Sequence, residues 1–183
     1  DHAGLVWVAN DKGISRHNPQ QTAISTRFGT IAPDTGERTS TEVSWIQPMP
    51  EGRVWLGTHQ SGVEILDSSG ALVGALRPDP AHLDRALPRD MVLAMEPVPD
   101  GTVYIATRRG LYRASADGHR VQRVVIGQRD PLEATWALKL DGDTLWVGGQ
   151  DDGLWRLDWR SGVAEPVLRD FGLGLSDQRI TLL

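Results

Sequence analysis

The side chains best placed for chemistry stand in four short polar stretches: Asn10-Asp11-Lys12, His59-Gln60, Arg108-Arg109 and Gln150-Asp151-Asp152. Arg108-Arg109 differs in kind, since the other three are mixed or acidic. Two adjacent guanidinium groups can hold a carboxylate or a sulfate through paired N–H···O bonds. Arg89 and Arg179, each just ahead of an apolar run, extend the set. The candidate ligand-binding residues are therefore His59, Gln60, Arg89, Arg108, Arg109, Asp151, Asp152 and Arg179. The competing reading is a solvated break that touches no ligand, and ordinary turn chemistry favours it.

Metal and catalytic readings are weaker. Asp141/Asp143 and Asp151/Asp152 resemble calcium-type acid pairs. They stand at opposite ends of one expected strand, roughly 20 Å apart at ~3.3 Å per residue, so they cannot share one ion. "GGQDDG" at 148–153 is no phosphate loop, because its side chains are acidic and a strand follows where a helix N-terminus is needed. There is no G-x-S-x-G and no H-E-x-x-H, and the five histidines are scattered without ligand spacing. No catalytic residue, metal or cofactor is assigned. An enzyme whose site is assembled from distant loops, a lyase or glycan-active hydrolase, is one reading that such motifs would not show; a protein-interaction scaffold is another.

Bulk composition narrows the classes. At 39% hydrophobic, 23% charged and a mean hydropathy of −0.31, the chain reads as globular, and no apolar run approaches the ~20 residues of a membrane helix. The absence of cysteine removes disulfides and Cys-based metal or redox sites. A formal charge of −5 argues against a nucleic-acid partner, which calls for a basic face. That charge is uneven: −3 over 1–76, +3 over 77–129 and −5 over 130–183. The chain opens on Asp1 without Met or leader, so it reads as a piece of something longer, with any membrane segment lying outside it.

The elements that position these residues come from a repeat. Gly4-Leu5-Val6-Trp7, Gly52-Arg53-Val54-Trp55 and Gly101-Thr102-Val103-Tyr104 share one spacing, and Gly142-Asp143-Thr144-Leu145-Trp146 carries one residue more. Six or seven residues past each aromatic stand Gly13, Gly62, Gly110 and Gly153, each opening a second run: "GISRHN", "GVEILD", "GLYRAS", "GLWRLD". Apolar runs "VSWIQPM", "MVLAMEPV" and "TWALKL" precede the anchors, and turns such as "DSSG" and "SADG" lead to a fourth run. Each unit thus predicts four short strands, with helix nearly absent. Units of ~40–50 residues with four strands are β-propeller blades.

The units run over 1–42 (first strand missing), 43–90, 91–134 and 135–179, with 180–183 starting another. In a propeller the polar breaks and the long loops at 29–42, 77–90, 127–134 and 169–179 share one face, the usual ligand face. The anchors Trp7, Trp55, Tyr104 and Trp146 could stack on a sugar, but one large aromatic per repeat is better explained as a peg between blades. Trp45, Trp136, Trp155 and Trp159 break the pattern and are better candidates than the anchors for surface or channel roles, although a structural role is the favoured reading for them too.

Leu175-Ser176 ahead of "ITLL", Trp55-Leu56-Gly57-Thr58, and Gly153-Leu154 resemble the two-component regulator propeller repeat family, and the resemblance covers all four units. It implies a periplasmic sensor region of a membrane-spanning bacterial signalling protein that carries a histidine kinase or diguanylate cyclase elsewhere. It also implies seven-bladed propellers, where only four units are present here. Three arrangements stay open: part of a larger ring, a closed four-bladed ring, or two copies pairing their open edges. The ligand expected is a small molecule or oligosaccharide.

Overall fold

The computed structural model describes residues 5–10, 13–17, 24–27, 42–126, 134–150 and 153–168. They form four antiparallel sheets. The first holds β1 (Val6–Asn10), β2 (Gly13–His17) and β3 (Ile24–Arg27). The second runs β4 (Val43–Pro48), β5 (Val54–Thr58), β6 (Val63–Leu66), β7 (Leu72–Leu76). The third runs β8 (Val92–Pro97), β9 (Val103–Thr107), β10 (Gly110–Ala114), β11 (Val121–Val124). The fourth runs β12 (Thr135–Asp141), β13 (Thr144–Gly149), β14 (Leu154–Asp158), β15 (Ala164–Leu168). In every sheet the strands pair in chain order, which is the meander of a propeller blade. The only helical turn among the described residues is a 3₁₀ turn at Pro50–Gly52, and no helix there is long and apolar enough to cross a membrane.

The four sheets stand side by side as an arc, with the inner strands β4, β8 and β12 as neighbours. Strand alternation explains the stacking, because successive side chains point to opposite faces. On blade 2, Val54 and Leu56 pack against Trp7 and Ile14 of blade 1, while Trp55 joins Val103, Ile105 and Tyr112 of blade 3. On blade 3, Val103 and Ile105 face blade 2, while Tyr104 joins Leu145, Val147 and Trp155 of blade 4. Trp7, Trp55 and Tyr104 therefore each face the next blade in the chain. Trp55 is fully buried and Tyr104 is 2% exposed. Trp7 and Trp146 are half-buried, the latter on the far face of blade 4. On the opposite end of the arc Val6 and Val8 are about half exposed.

Two glycines are required by these contacts. A Cβ at Gly57 would meet Val92 Cγ1 at 2.6 Å, so only glycine lets blades 2 and 3 close there. Gly118 turns with φ +71 and lies over the Trp55 and Ile65 side chains. The inner strands carry one irregularity the repeat pattern does not show: Ser44, Leu93 and Trp136 are each an extra residue in the pairing of their blades. Such a bulge bends the strand start toward the loop face.

Candidate functional site

On blades 2 and 3 the polar break is built by the threonine that ends the second strand. The Thr58 hydroxyl donates to the Gly62 carbonyl at 2.9 Å and accepts the Ser61 N–H at 2.9 Å. Thr107 repeats this on blade 3, donating to the Gly110 carbonyl at 2.9 Å and accepting the Arg109 N–H at 3.1 Å. Both threonines are buried, so each break is pinned from beneath and its side chains are pushed outward. On blade 4 the strand ends in Gly149, and there the Gln150 N–H donates to the Ala134 carbonyl at 3.1 Å, as the His59 N–H does to Glu42 at 3.1 Å.

Two of the side chains that these turns present pair with a carboxylate just ahead of the first strand of their sheet. His59 Nδ1 stands 3.3 Å from Glu42 Oε2, and Arg109 Nε stands 3.7 Å from Asp90 Oδ2. The Tyr112 hydroxyl donates to the Arg109 carbonyl at 3.3 Å, fixing the backbone under that guanidinium. Gln60, Arg89 and Arg108 are exposed. Asp151, Asp152 and Arg179, with Asp11 and Lys12, lie outside the described residues. Among the described residues no group of His, Asp or Glu is arranged to hold a metal ion.

The four tryptophans outside the anchor positions divide. Trp136 is part of the break on blade 4, where its Nε1 donates to Gln150 Oε1 at 3.2 Å. Trp45, on the inner strand β4, donates to Gln47 Oε1 at 3.3 Å and packs against two of the core clusters. Trp155 and Trp159 take the structural role and not a surface or channel place; they are 2% and 9% exposed, inside the core between blades 3 and 4. The reason for Trp155 is readable in retrospect, since "GLWRL" aligns with "GLYRA" and Tyr112 holds the same buried place on blade 3. Trp159 sits in the β14–β15 turn and its carbonyl accepts the Tyr104 hydroxyl at 3.4 Å. Arg160 stacks on its indole, 4.5 Å from the ring centroid, and pairs with Asp143.

A second set of polar residues, absent from the sequence-based candidates, lines equivalent clefts on the flanks of blades 3 and 4. The first is an open depression of about 680 Å³ lined by Thr102, Arg113, Ser115, His119, Arg120 and Gln122, with Asp84, Arg85, Ala114 and Val121. The second, about 360 Å³, is lined by Thr144, Arg156, Asp158, Ser161, Val163 and Glu165. Strand register makes Arg113 and Arg156 equivalent, and likewise Gln122 and Glu165. Arg85 arrives by the 77–90 loop, which reaches the outer edge of β11, where the Arg123 N–H donates to the Asp84 carbonyl at 3.1 Å. That bond also occupies part of an otherwise bare sheet edge. Behind the cleft, burial pushes the Tyr104 hydroxyl up in pKa, and the nearby positive charge of Arg113 opposes that shift.

No protein-family model matches the chain, and no curated protein matches it. Its similarity to solved structures is extensive. The extracellular domain of a hybrid two-component system from B. thetaiotaomicron superposes over 92% of the chain with a TM-score of 0.71 at 15% identity. The extracellular domain of a one-component system from the same organism superposes over 91% with a TM-score of 0.68 at 16% identity. A chain of the mitotic checkpoint complex does so over 90% with a TM-score of 0.65 at 16% identity. The present chain spans about a quarter of the length of the first, 24%, and 21% of the second. These likenesses show the architecture, a run of β-propeller blades shared by proteins of unlike function.

Proposed function

We propose that the chain is part of an extracytoplasmic, ligand-sensing propeller of a bacterial two-component-type signalling protein, and that it is itself non-catalytic. The observation that carries this reading is the superposition of 92% of the chain on the extracellular domain of a hybrid two-component system. The Trp-Leu-Gly-Thr strand at 55–58 and the Leu-Ser lead at 175–176 support it from the sequence. In this reading a small molecule or oligosaccharide engages the exposed break side chains of the loop face. The breaks of blades 2 and 3 are short turns pinned on the buried Thr58 and Thr107, so ligand contacts there reach the blade packing directly. The bound state shifts the placement of neighbouring domains, and the membrane-spanning remainder passes that shift to its output. A periplasmic location and a histidine kinase or diguanylate cyclase output belong to the same proposal.

The test is genetic. In the host carrying this gene, in-frame removal of the segment encoding residues 43–168 should abolish one saccharide-dependent transcriptional response while the protein is still produced. Responses unchanged across a broad saccharide panel would contradict the sensing role.

A further inference from the structure

We propose that the flank cleft of blade 3 is a binding site for a sugar bearing a sulfate or carboxylate group, with Arg113, Arg120 and Arg85 supplying the positive charge. This inference stands on the cleft alone and not on the signalling reading, because the cleft lies along the outer edge of the blade, away from the polar breaks.

The argument comes from one position seen four times. Strand register places Arg16, Ile65, Arg113 and Arg156 opposite the anchors Trp7, Trp55, Tyr104 and Trp146. On blade 1, Arg16 stacks over Trp7 at 5.9 Å and donates to the Ser68 carbonyl of the next blade at 3.0 Å, so its charge is covered by a neighbouring turn. On blade 2 the position is Ile65, buried beneath Gly118. On blade 4, Arg156 donates to Glu165 at 2.6 Å, and Asp158 lines the same cleft, so the guanidinium is neutralised on the spot.

Blade 3 keeps the arginine and removes both carboxylates. Gln122 replaces the glutamate and Ser115 replaces the aspartate. Arg113 donates Nη2 and Nε to the Gln122 amide oxygen at 2.8 and 3.3 Å, which orients the fork without cancelling its charge. Arg85 and Arg120 line the same cleft and form no ion pair with a described residue. The single lining carboxylate is Asp84. Asp117, close by, is turned into its own loop, accepting from the Ser115 hydroxyl and from the His119 N–H at 3.0 Å. Among the lining residues three guanidinium groups face one carboxylate, while Asp117 near Arg120 and Asp79 near Arg85 lie off the lining; the cleft therefore presents positive charge in a chain whose net charge is negative. Thr102, Ser115 and Gln122 add neutral hydroxyl and amide groups of the kind that meet sugar hydroxyls, and about 680 Å³ falls in the ~300–1,000 Å³ range of small-ligand sites.

Isothermal titration at low salt with a sulfated disaccharide, a uronate-bearing disaccharide and a neutral disaccharide tests the proposal and separates the two anionic sources. At least one anionic probe should bind and the neutral one should not. Q122E installs on blade 3 the carboxylate that blade 4 carries, at an exposed position of nearly equal shape, and should weaken binding by roughly tenfold or more. R113Q should do the same, and circular dichroism of both variants verifies that they fold. Added salt should weaken wild-type binding, as for any exposed charge contact. Equal binding by wild type and Q122E, binding of the neutral probe as tight as the anionic ones, or no binding of either anionic probe overturns it.

Discussion

Gly118, in the turn between β10 and β11 of blade 3, lies over Trp55 of blade 2, and a methyl group there would stand 3.7 Å from Trp55 Cζ2 and collide with Ile65 Cδ1. The turn between the third and fourth strands of one blade thus covers the anchor of the preceding blade. Ser68 does the same beside Trp7, receiving Arg16, and Trp159 does so at Tyr104. Trp7, Trp55 and Tyr104 are pegs whose caps come from the next repeat.

Trp55→Ala should therefore cost about 3–5 kcal/mol in urea unfolding, since it empties the centre of a core cluster. The Trp55 indole N–H is buried with no hydrogen-bond partner among the described residues, so Trp55→Phe should cost less than half as much. Gly118→Ala combines a collision with a positive φ and should cost about 1–3 kcal/mol. A loss below about 1 kcal/mol for Trp55→Ala would falsify the peg role.

Glu96 joins the inner strands of blades 3 and 4, its carboxylate accepting the Leu140 N–H at 3.1 Å. Burial raises its pKa, and that hydrogen bond with nearby Lys139 opposes the rise. A carboxyl whose folded pKa lies above its unfolded value binds its proton more tightly in the folded state. It therefore detracts from stability at neutral pH and is relieved as pH falls through the folded pKa. Glu96→Gln keeps an acceptor for Leu140 without the charge. Its melting temperature at pH 7 should equal or exceed wild type, and the difference should shrink on acidification from neutral pH to about pH 4. A clear drop at pH 7 contradicts this account.

The turn carboxylates act in the opposite sense. Hydrogen bonds lower the pKa of Asp67 (from the Ser69 hydroxyl first), Asp117 (from the Ser115 hydroxyl first) and Asp158 (from the Ser161 N–H first). Their stabilisation is present above the ordinary carboxylate pKa and lost as pH falls through the depressed folded values. Thermal melts should show stability falling below about pH 4, and Asp67→Asn should flatten that fall. An unchanged acid limb in the variant would remove the turns from the explanation.

The loop-face pairs should carry little stability. His59 and Glu42 are 38% and 57% exposed, and Arg109 is 63% exposed, so solvent screens both pairs. His59→Ala and Arg109→Ala should each change unfolding free energy by no more than about 0.5 kcal/mol. Any loss of ligand binding in these variants then reports contact and not folding.

Blade number and strand order were legible because Gly-x-x-aromatic recurs at fixed phase and turn residues punctuate it. The bulges at Ser44, Leu93 and Trp136 were not, because an extra residue in one strand is defined only against its partner. Trp155 shares its repeat position with Tyr112, in "GLWRLD" and "GLYRAS", and strand register gives the two one buried place, whereas Trp159 has no counterpart in the repeat. The flank cleft escaped notice for a related reason. Arg113 and Gln122 lie nine residues apart on different strands, and the contrast with Arg156 and Glu165 has meaning only once the strands pair. His59, Gln60, Arg89, Arg108 and Arg109 do stand outward as their turn chemistry requires, within a set whose acidic members lie outside the described residues.

The most direct measurement of the sensing account is calorimetric titration of the chain with a broad oligosaccharide panel, each mixture then analysed for products. The account predicts that at least one acidic or neutral oligosaccharide binds, raises the melting temperature progressively as its concentration passes Kd, and is recovered intact. Cleavage of any panel member, or heat and melting temperature unchanged by all of them, would contradict it.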